Sequence, residues 1–121
     1  MCLTTVDEKT KQVTEGWKIF FRNRYYFWED KLESPFFGDI SETGEWINDE
    51  SKGNVYSHHY PKGFHFYINK KDAEKKLHSW GTFYYTMKKI KVKNMVASGK
   101  ERCATYDYEV GVARSIFIEE D

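Results

Sequence analysis

Residues 60–77 have the sequence YPKGFHFYINKKDAEKKL, and this stretch predicts a turn, a strand and a helix in direct succession. A proline and a glycine near its start mark the turn, and the aromatic run from Phe64 to Ile68 predicts the strand. Asn69 is a residue type that caps helices, and Asp72 places a negative charge in the first helical turn. The stretch therefore predicts a helix that is joined directly to a strand of the sheet.

The predicted helix extends from Asn69 to about Trp80 and ends at Gly81, a residue type common just after the last helical turn. Ala73, Leu77 and Trp80 recur at the spacing of one helix face, and charged residues cover the remaining circumference. This narrow apolar stripe predicts that one face of the helix packs on a sheet.

The remaining strands are predicted from alternating sequence. Residues 17–22 alternate in the strand pattern, and residues 25–28 follow as a candidate hairpin partner. Residues 82–94 and 108–118 predict two long strands, with residues 95–101 between them as a short strand or a turn back. We therefore expect an α+β fold: a small single domain with a mainly antiparallel, twisted sheet and one main helix packed on it.

The chain divides into a polar start and one folded region. Residues 1–15 are polar and charged, and we expect a flexible N-terminal arm. Residues 16–121 form the predicted single α+β domain. Within it, residues 29–59 contain repeated turn signals and predict an irregular loop region, in which residues 45–47 alone show an apolar anchor. A long irregular region in a compact domain is often functional, so we expect it to cover a ligand or contact a partner.

The charge balance argues against general nucleic-acid binding. Lys and Arg together number 19, as do Asp and Glu, so the formal net charge is zero, whereas capture of nucleic acid usually depends on a basic excess. A local patch of either sign remains open, because charged residues make up 31% of the chain. Within the first long strand, residues 89–93 alternate outward lysines with inward Ile90 and Val92. Nine Tyr, nine Phe and four Trp predict either aromatic side chains at a surface cleft or aromatics that replace aliphatics in a two-layer core.

The cysteines predict the compartment. Cys2 and Cys103 are far apart in sequence, and no secretory segment follows Met1. Unpaired thiols without such a segment favour a reducing, cytoplasmic location. No apolar run approaches the length of a membrane span, so no membrane partner is expected.

An enzymatic hypothesis centres on His65. Together with His59 and Lys62 it supplies proton-transfer groups for a small metal-independent phosphodiesterase or nuclease. The alternative is that His65 points into the sheet–helix interface or hydrogen-bonds a backbone carbonyl, and we favour this structural role. The histidine spacing, which includes His58, matches no zinc motif, so neither a metal nor a cofactor is expected.

A binding hypothesis rests on aromatic and cationic side chains that together suit a planar base and a phosphate. The candidate ligand-binding residues are Trp46, Lys62, Phe64, His65, Tyr67 and Arg114. Arg114 lies at a core-facing register and requires a partner. It either pairs with an acidic residue such as Asp72 or Glu109, or faces a cavity that binds an anion.

Several short motifs are spread along the chain: Met1-Cys-Leu, Gly16-Trp-Lys-Ile-Phe, Tyr60-Pro-Lys-Gly-Phe-His, Asp72-Ala-Glu, Val96-Ala-Ser-Gly and Val112-Ala-Arg. This set of motifs resembles small, largely uncharacterised phage and prophage proteins. The order of elements also resembles a reduced ADP-ribosyltransferase fold, although the first strand carries Lys18 and Arg22 without the expected pattern and no late catalytic glutamate motif follows.

The phage resemblance implies a counter-defence protein that acts in the cytoplasm of the host cell. The first hypothesis is a binding protein that sequesters a nucleotide-like immune signalling molecule without chemistry. The second is a protein-binding inhibitor of a host defence effector, and the His65 enzyme ranks third. A homo-oligomer remains open in each case.

Overall fold

The computed structural model describes residues 3–23, 31–33, 40–41, 45–49, 53, 60–81 and 85–119. The predicted hairpin partner at residues 25–28 lies outside them, as do His58, His59 and most of the predicted loop region. The elements in chain order are β1 (Thr5–Val6), β2 (Glu15–Asn23), β3 (Lys31–Glu33), β4 (Ile40–Ser41), β5 (Trp46–Asn48), β6 (Phe64–Tyr67), α1 (Lys70–Trp80), β7 (Tyr85–Cys103) and β8 (Tyr106–Ile118).

The strands pair in antiparallel fashion, and the described residues contain one helix, which confirms the predicted α+β class with a mainly antiparallel sheet. Four of the strands form a closed ring of pairings: β2 pairs with β7, β7 with β8, β8 with β6, and β6 with β2. β1 pairs with β7, and β5 pairs with β8. On the far side of β2, the sheet is extended by β3 and then by β4.

The strand–helix unit forms where the sequence predicts it. α1 follows Asn69 and ends at Gly81, whose N–H donates to the carbonyl of Leu77 at 2.8 Å. Gly81 has a φ of 96°, a conformation that favours glycine. Asn69 occupies the N-cap position, but its side chain makes no capping hydrogen bond, which corrects one expectation. Its Nδ2 instead donates to Glu109 Oε2 at 2.9 Å.

β7 is longer than predicted. Residues 95–101 do not turn back but continue the strand, and the pairing with β8 shifts between Met95 and Ala97. Asn94, at φ 59°, precedes this shift. Such irregularities bend a strand and allow it to continue with altered register, so the chain reverses only beyond Cys103, where Ala104 has a positive φ.

Apolar side chains collect in two clusters. The first contains Ala73 of α1 together with Ile19, Tyr67 and Val112. The second contains the alternate residues of the same strands, among them Phe20, Phe64, Phe66, Ile90 and Ile116. In β8, Val110 and Val112 belong to the first cluster and Ile116 and Ile118 to the second, so the apolar residues of this one strand contribute to both clusters.

α1 contacts the sheet through polar as well as apolar side chains. Its buried residues are Asp72, Ala73 and Lys76, whereas Leu77 is only partly buried. The Asp72 carboxylate accepts hydrogen bonds from the Tyr106 hydroxyl and from the Glu109 N–H. These polar contacts correct the expectation of a purely apolar stripe.

A buried ion pair joins α1 to β7. Lys76 Nζ lies 3.2 Å from Glu101 Oε1, and the Tyr67 hydroxyl donates to the same oxygen at 3.3 Å. Burial and the neighbouring Glu101 raise the pKa of Tyr67 far above its usual value, so this phenol remains a donor.

The N-terminal segment lies against β7 instead of extending away from the sheet. Leu3 is 1% exposed, and Asp7 N–H donates to the Ser98 carbonyl at 2.8 Å. The Ser98 hydroxyl in turn donates to Asp7 Oδ2 at 2.7 Å. Leu3 and Asp7 thus contact the folded domain, whereas the flexibility of the segment stays a prediction.

Gly99→Ala is expected to lower the free energy of unfolding by roughly 1–3 kcal/mol. A Cβ atom at this position would overlap the carbonyl of Thr5 and displace β1 from β7. Urea denaturation measures the loss, and hydrogen exchange of the Asp7 amide reports the displacement. Lys100→Ala is the matched control, because that side chain is exposed on the same strand. Equal stability and equal Asp7 protection in both variants would contradict this placement of β1.

Candidate functional site

An exposed aromatic and cationic surface crosses three neighbouring strands. In the first row of the sheet, Lys91 of β7 pairs with Phe117 of β8, and Phe117 pairs with Trp46 of β5. In the next row, Lys93 pairs with Ser115, and Ser115 pairs with Asn48. Directly opposed residues point to the same side of a sheet, so all of them share one side. We call this surface the aromatic–lysine face: Trp46, Asn48, Lys91, Lys93, Ser115 and Phe117.

The intervening residues explain why this side faces outward. Ile47 packs against the second cluster, and Ile116 and Ile118 are fully buried within it. Because side chains alternate along a strand, their neighbours Trp46 and Phe117 point away from that cluster. Trp46 remains 40% exposed, which is unusual for so large an apolar side chain.

Both lysines lie over aromatic rings. Lys93 Nζ is 4.1 Å from the centroid of the Trp46 ring, and Lys91 Nζ is 5.5 Å from that of Phe117. The Trp46 and Phe117 rings are themselves 5.7 Å apart between centroids, at an interplanar angle of 55°. Lys93 and Trp46 lie in different rows, so the lysine side chain reaches the ring diagonally across β8, where Ser115 is a small residue. The face therefore combines stacking surface with positive charge.

Asn48 has a fixed orientation on this face. The Ser115 hydroxyl, on a residue that is 3% exposed, donates to Asn48 Oδ1 at 2.6 Å. The Oδ1 and Nδ2 atoms lie on opposite sides of Cγ, so the amide NH2 is turned away from Ser115.

The predicted ligand-binding residues do not form one pocket. Trp46 lies on the aromatic–lysine face, while Phe64 belongs to the second cluster. His65 and Tyr67 lie on the opposite side of β6 from Phe64, and all three are at most 6% exposed. The expectation of a joint pocket fails because successive residues of a strand point to opposite sides of the sheet.

The Arg114 side chain contacts the backbone of Lys62. Arg114 Nη1 donates to the Lys62 carbonyl at 2.7 Å, and the Arg114 carbonyl accepts from Asp49 N–H at 2.8 Å. Arg114 thus joins the approach to β6 with the end of β5. The expected partners Asp72 and Glu109 instead contact Tyr106 and Lys11, respectively.

His65 is buried and hydrogen-bonded inside the protein. Its Nε2 lies 3.0 Å from the Tyr60 hydroxyl oxygen, which accepts a hydrogen bond from Leu3 N–H at 3.1 Å. His65 is 4% exposed, so the group proposed for proton transfer contacts the protein interior. His59, the second candidate of the enzymatic hypothesis, lies outside the described residues.

Lys18 is a buried lysine that is not among the predicted site residues. It is 1% exposed on β2, and its Nζ donates to the His65 carbonyl at 2.8 Å. Burial lowers its pKa from 10.5 to about 7. The sequence carries one indication of this burial: Lys18 lies between the apolar residues Trp17 and Ile19. In a strand that is buried on both faces, residues on both sides contact the interior.

Comparisons of the chain with protein-family models, with curated proteins and with solved structures find no match. The resemblance to phage proteins therefore stays a prediction. Among the described residues, no helix has the length and apolar character needed to cross a membrane.

Proposed function

We propose that the protein binds a nucleotide-like anion on its aromatic–lysine face and holds it without chemical change. The observation that carries this proposal is the position of exposed Trp46 beside Phe117, Lys91 and Lys93 on one side of three paired strands. A base stacks on an aromatic ring with about 1–3 kcal/mol, and this energy depends little on base identity.

The lysines supply the phosphate contacts. Lys91 and Lys93 are two residues apart on one strand, so their Cα atoms are separated by about 7 Å. The Lys93 ammonium already lies over Trp46. A base that stacks there takes the position of this ammonium, which then contacts a phosphate of the same ligand. Charge neutralisation and stacking are thus coupled in one binding event.

Binding without chemistry is favoured over catalysis. The aromatic–lysine face contains no carboxylate or imidazole to move a proton, and His65 is buried on β6. The phage resemblance supports a setting in the host cytoplasm, where the protein sequesters a nucleotide signal of an immune system. A protein effector is the alternative partner for the same exposed Trp46, since tryptophan is enriched at interaction hot spots.

Trp46→Ala is expected to weaken nucleotide binding roughly tenfold or more, because the variant loses the stacking surface. A thermal-shift screen with cyclic di- and trinucleotides, ADP-ribose and NAD first selects a ligand. Calorimetric titration of that ligand then compares the wild-type protein with Trp46→Ala and with the double variant Lys91→Ala/Lys93→Ala. The double variant is expected to bind more weakly and with a smaller dependence on salt.

Lys100→Ala serves as the matched control, because it removes an exposed lysine from β7 outside the aromatic–lysine face. Ligand recovered after the titration should be intact. A wild-type affinity in Trp46→Ala would overturn the proposed site, and a screen without any thermal shift would favour the protein partner. Cleaved ligand would favour the enzymatic hypothesis.

A further inference from the structure

The orientation of Asn48 carries information about the ligand. Asn48 lies two residues from Trp46 on the same strand and the same side, about 7 Å away between Cα atoms. The edge of a base stacked on Trp46 is therefore within reach of the Asn48 amide. Asn48 is exposed, whereas Ser115, which holds its Oδ1, is buried.

Resting on the proposed function above, we infer that Asn48 selects the base and that the ligand carries a base with carbonyl acceptors, such as guanine, in preference to adenine. A free asparagine side chain suits adenine, because its oxygen accepts from the adenine amino group while its NH2 donates to a ring nitrogen. In this protein Ser115 engages that oxygen and turns the NH2 outward. The exposed part of the side chain is thus a donor.

The orientation of the Asn48 amide predicts that guanine and adenine, two purines of similar size, bind with different affinities. The carbonyl oxygen and ring nitrogen of guanine both accept hydrogen bonds at its major-groove edge, and the Asn48 NH2 donates to them. Adenine presents an amino donor at the same place, and two donors then face each other. Stacking on Trp46 is similar for both purines, so the preference depends on Asn48.

GMP and AMP test this inference, since they differ only in the base. We expect GMP to bind roughly tenfold more tightly than AMP, as one satisfied hydrogen bond predicts. Dissociation constants are measured by NMR titration of the full chain. The dinucleotides GpG and ApA, titrated in parallel, distinguish a free nucleotide from a strand as the source of the base. A guanine preference in either pair supports the assignment.

Two variants separate selection from binding. Asn48→Ala should abolish the preference by weakening the binding of GMP, because the variant lacks the NH2 donor for the guanine carbonyl. Ser115→Ala retains the amide but frees it to rotate, so the preference should also shrink and AMP should bind more tightly than to the wild-type protein. Equal binding of GMP and AMP to the wild-type protein would overturn the role of Asn48 while the proposed function stands. Failure of all four probes to bind would overturn both.

Discussion

Lys18→Met is expected to raise the free energy of unfolding at pH 7 by roughly 1–4 kcal/mol. Lys18 is 1% exposed, and its ammonium contacts the His65 carbonyl and lies 5.7 Å from the centroid of the Phe20 ring. Neither contact balances a full charge. Methionine fills a similar volume without one, at the cost of leaving the carbonyl without this donor.

The lowered pKa of Lys18 determines how the stability of the protein changes with pH. The pKa of Lys18 is about 7 in the folded protein and 10.5 as its ordinary value. Between these values the unfolded chain binds the proton and the folded protein does not, so stability increases as the pH rises. A gap of this size is worth about 5 kcal/mol across the whole interval. Below pH 7 both states are protonated, and the unfavourable burial of the charge is fully present.

Chemical denaturation between pH 6 and pH 9.5 measures both effects. The wild-type protein should gain stability above pH 7, and Lys18→Met should lack this component. Lys18→Arg is the control, because its guanidinium stays charged throughout, and we expect it to be less stable than the wild type at every pH. Equal pH profiles for the wild type and Lys18→Met would show that Lys18 is not buried as described.

Glu101→Ala is expected to destabilise the protein by about 3–5 kcal/mol, because it leaves the buried Lys76 ammonium without its counterion. Lys76 Nζ and Glu101 Oε1 are 3.2 Å apart, with side-chain exposures of 8% and 12%. The Tyr67 hydroxyl also loses its acceptor in this variant. The double variant Lys76→Met/Glu101→Leu removes both charges and should recover most of this loss, with the unpaired Tyr67 hydroxyl as the remaining cost.

A surface pair on the same helix provides the comparison. Lys70 and Glu74 approach to 3.9 Å and are both more than half exposed. Glu74→Ala should therefore change stability by roughly 0.5 kcal/mol or less. If Glu101→Ala costs no more than Glu74→Ala, the contact of α1 with β7 through this ion pair is incorrect.

Local chemistry explains which parts of the fold the sequence predicts. The helix from residue 70 to residue 80 is predictable from its apolar spacing and from Gly81, which ends it. Both signals depend only on residues that are close together in the sequence. The alternation in β2 and in the first half of β7 likewise depends on the chain itself. The continuation of β7 beyond Asn94 was not predictable in this way, because pairing with β8 maintains it through the shift near Met95.

The candidate site depends on register, which sequence spacing does not contain. Trp46 and the outward lysines were both recognised, but in separate segments. Only the pairing of β5 with β8 and of β8 with β7 brings Trp46 next to Phe117 and Lys93. The candidate ligand-binding residues Phe64 and His65 do not share a site for a related reason, because neighbours in sequence lie on opposite sides of β6.

The most direct test of the proposed binding face is chemical-shift mapping. The wild-type protein, labelled with nitrogen-15, is titrated with the cyclic dinucleotide that gives the largest thermal shift. We predict that the largest changes occur at the indole N–H of Trp46, at the side-chain amide of Asn48 and at the backbone amides of Lys91 and Lys93. Changes that are centred instead on the strand from Phe64 to Tyr67, with the Trp46 and Asn48 signals unmoved, would contradict the proposed site.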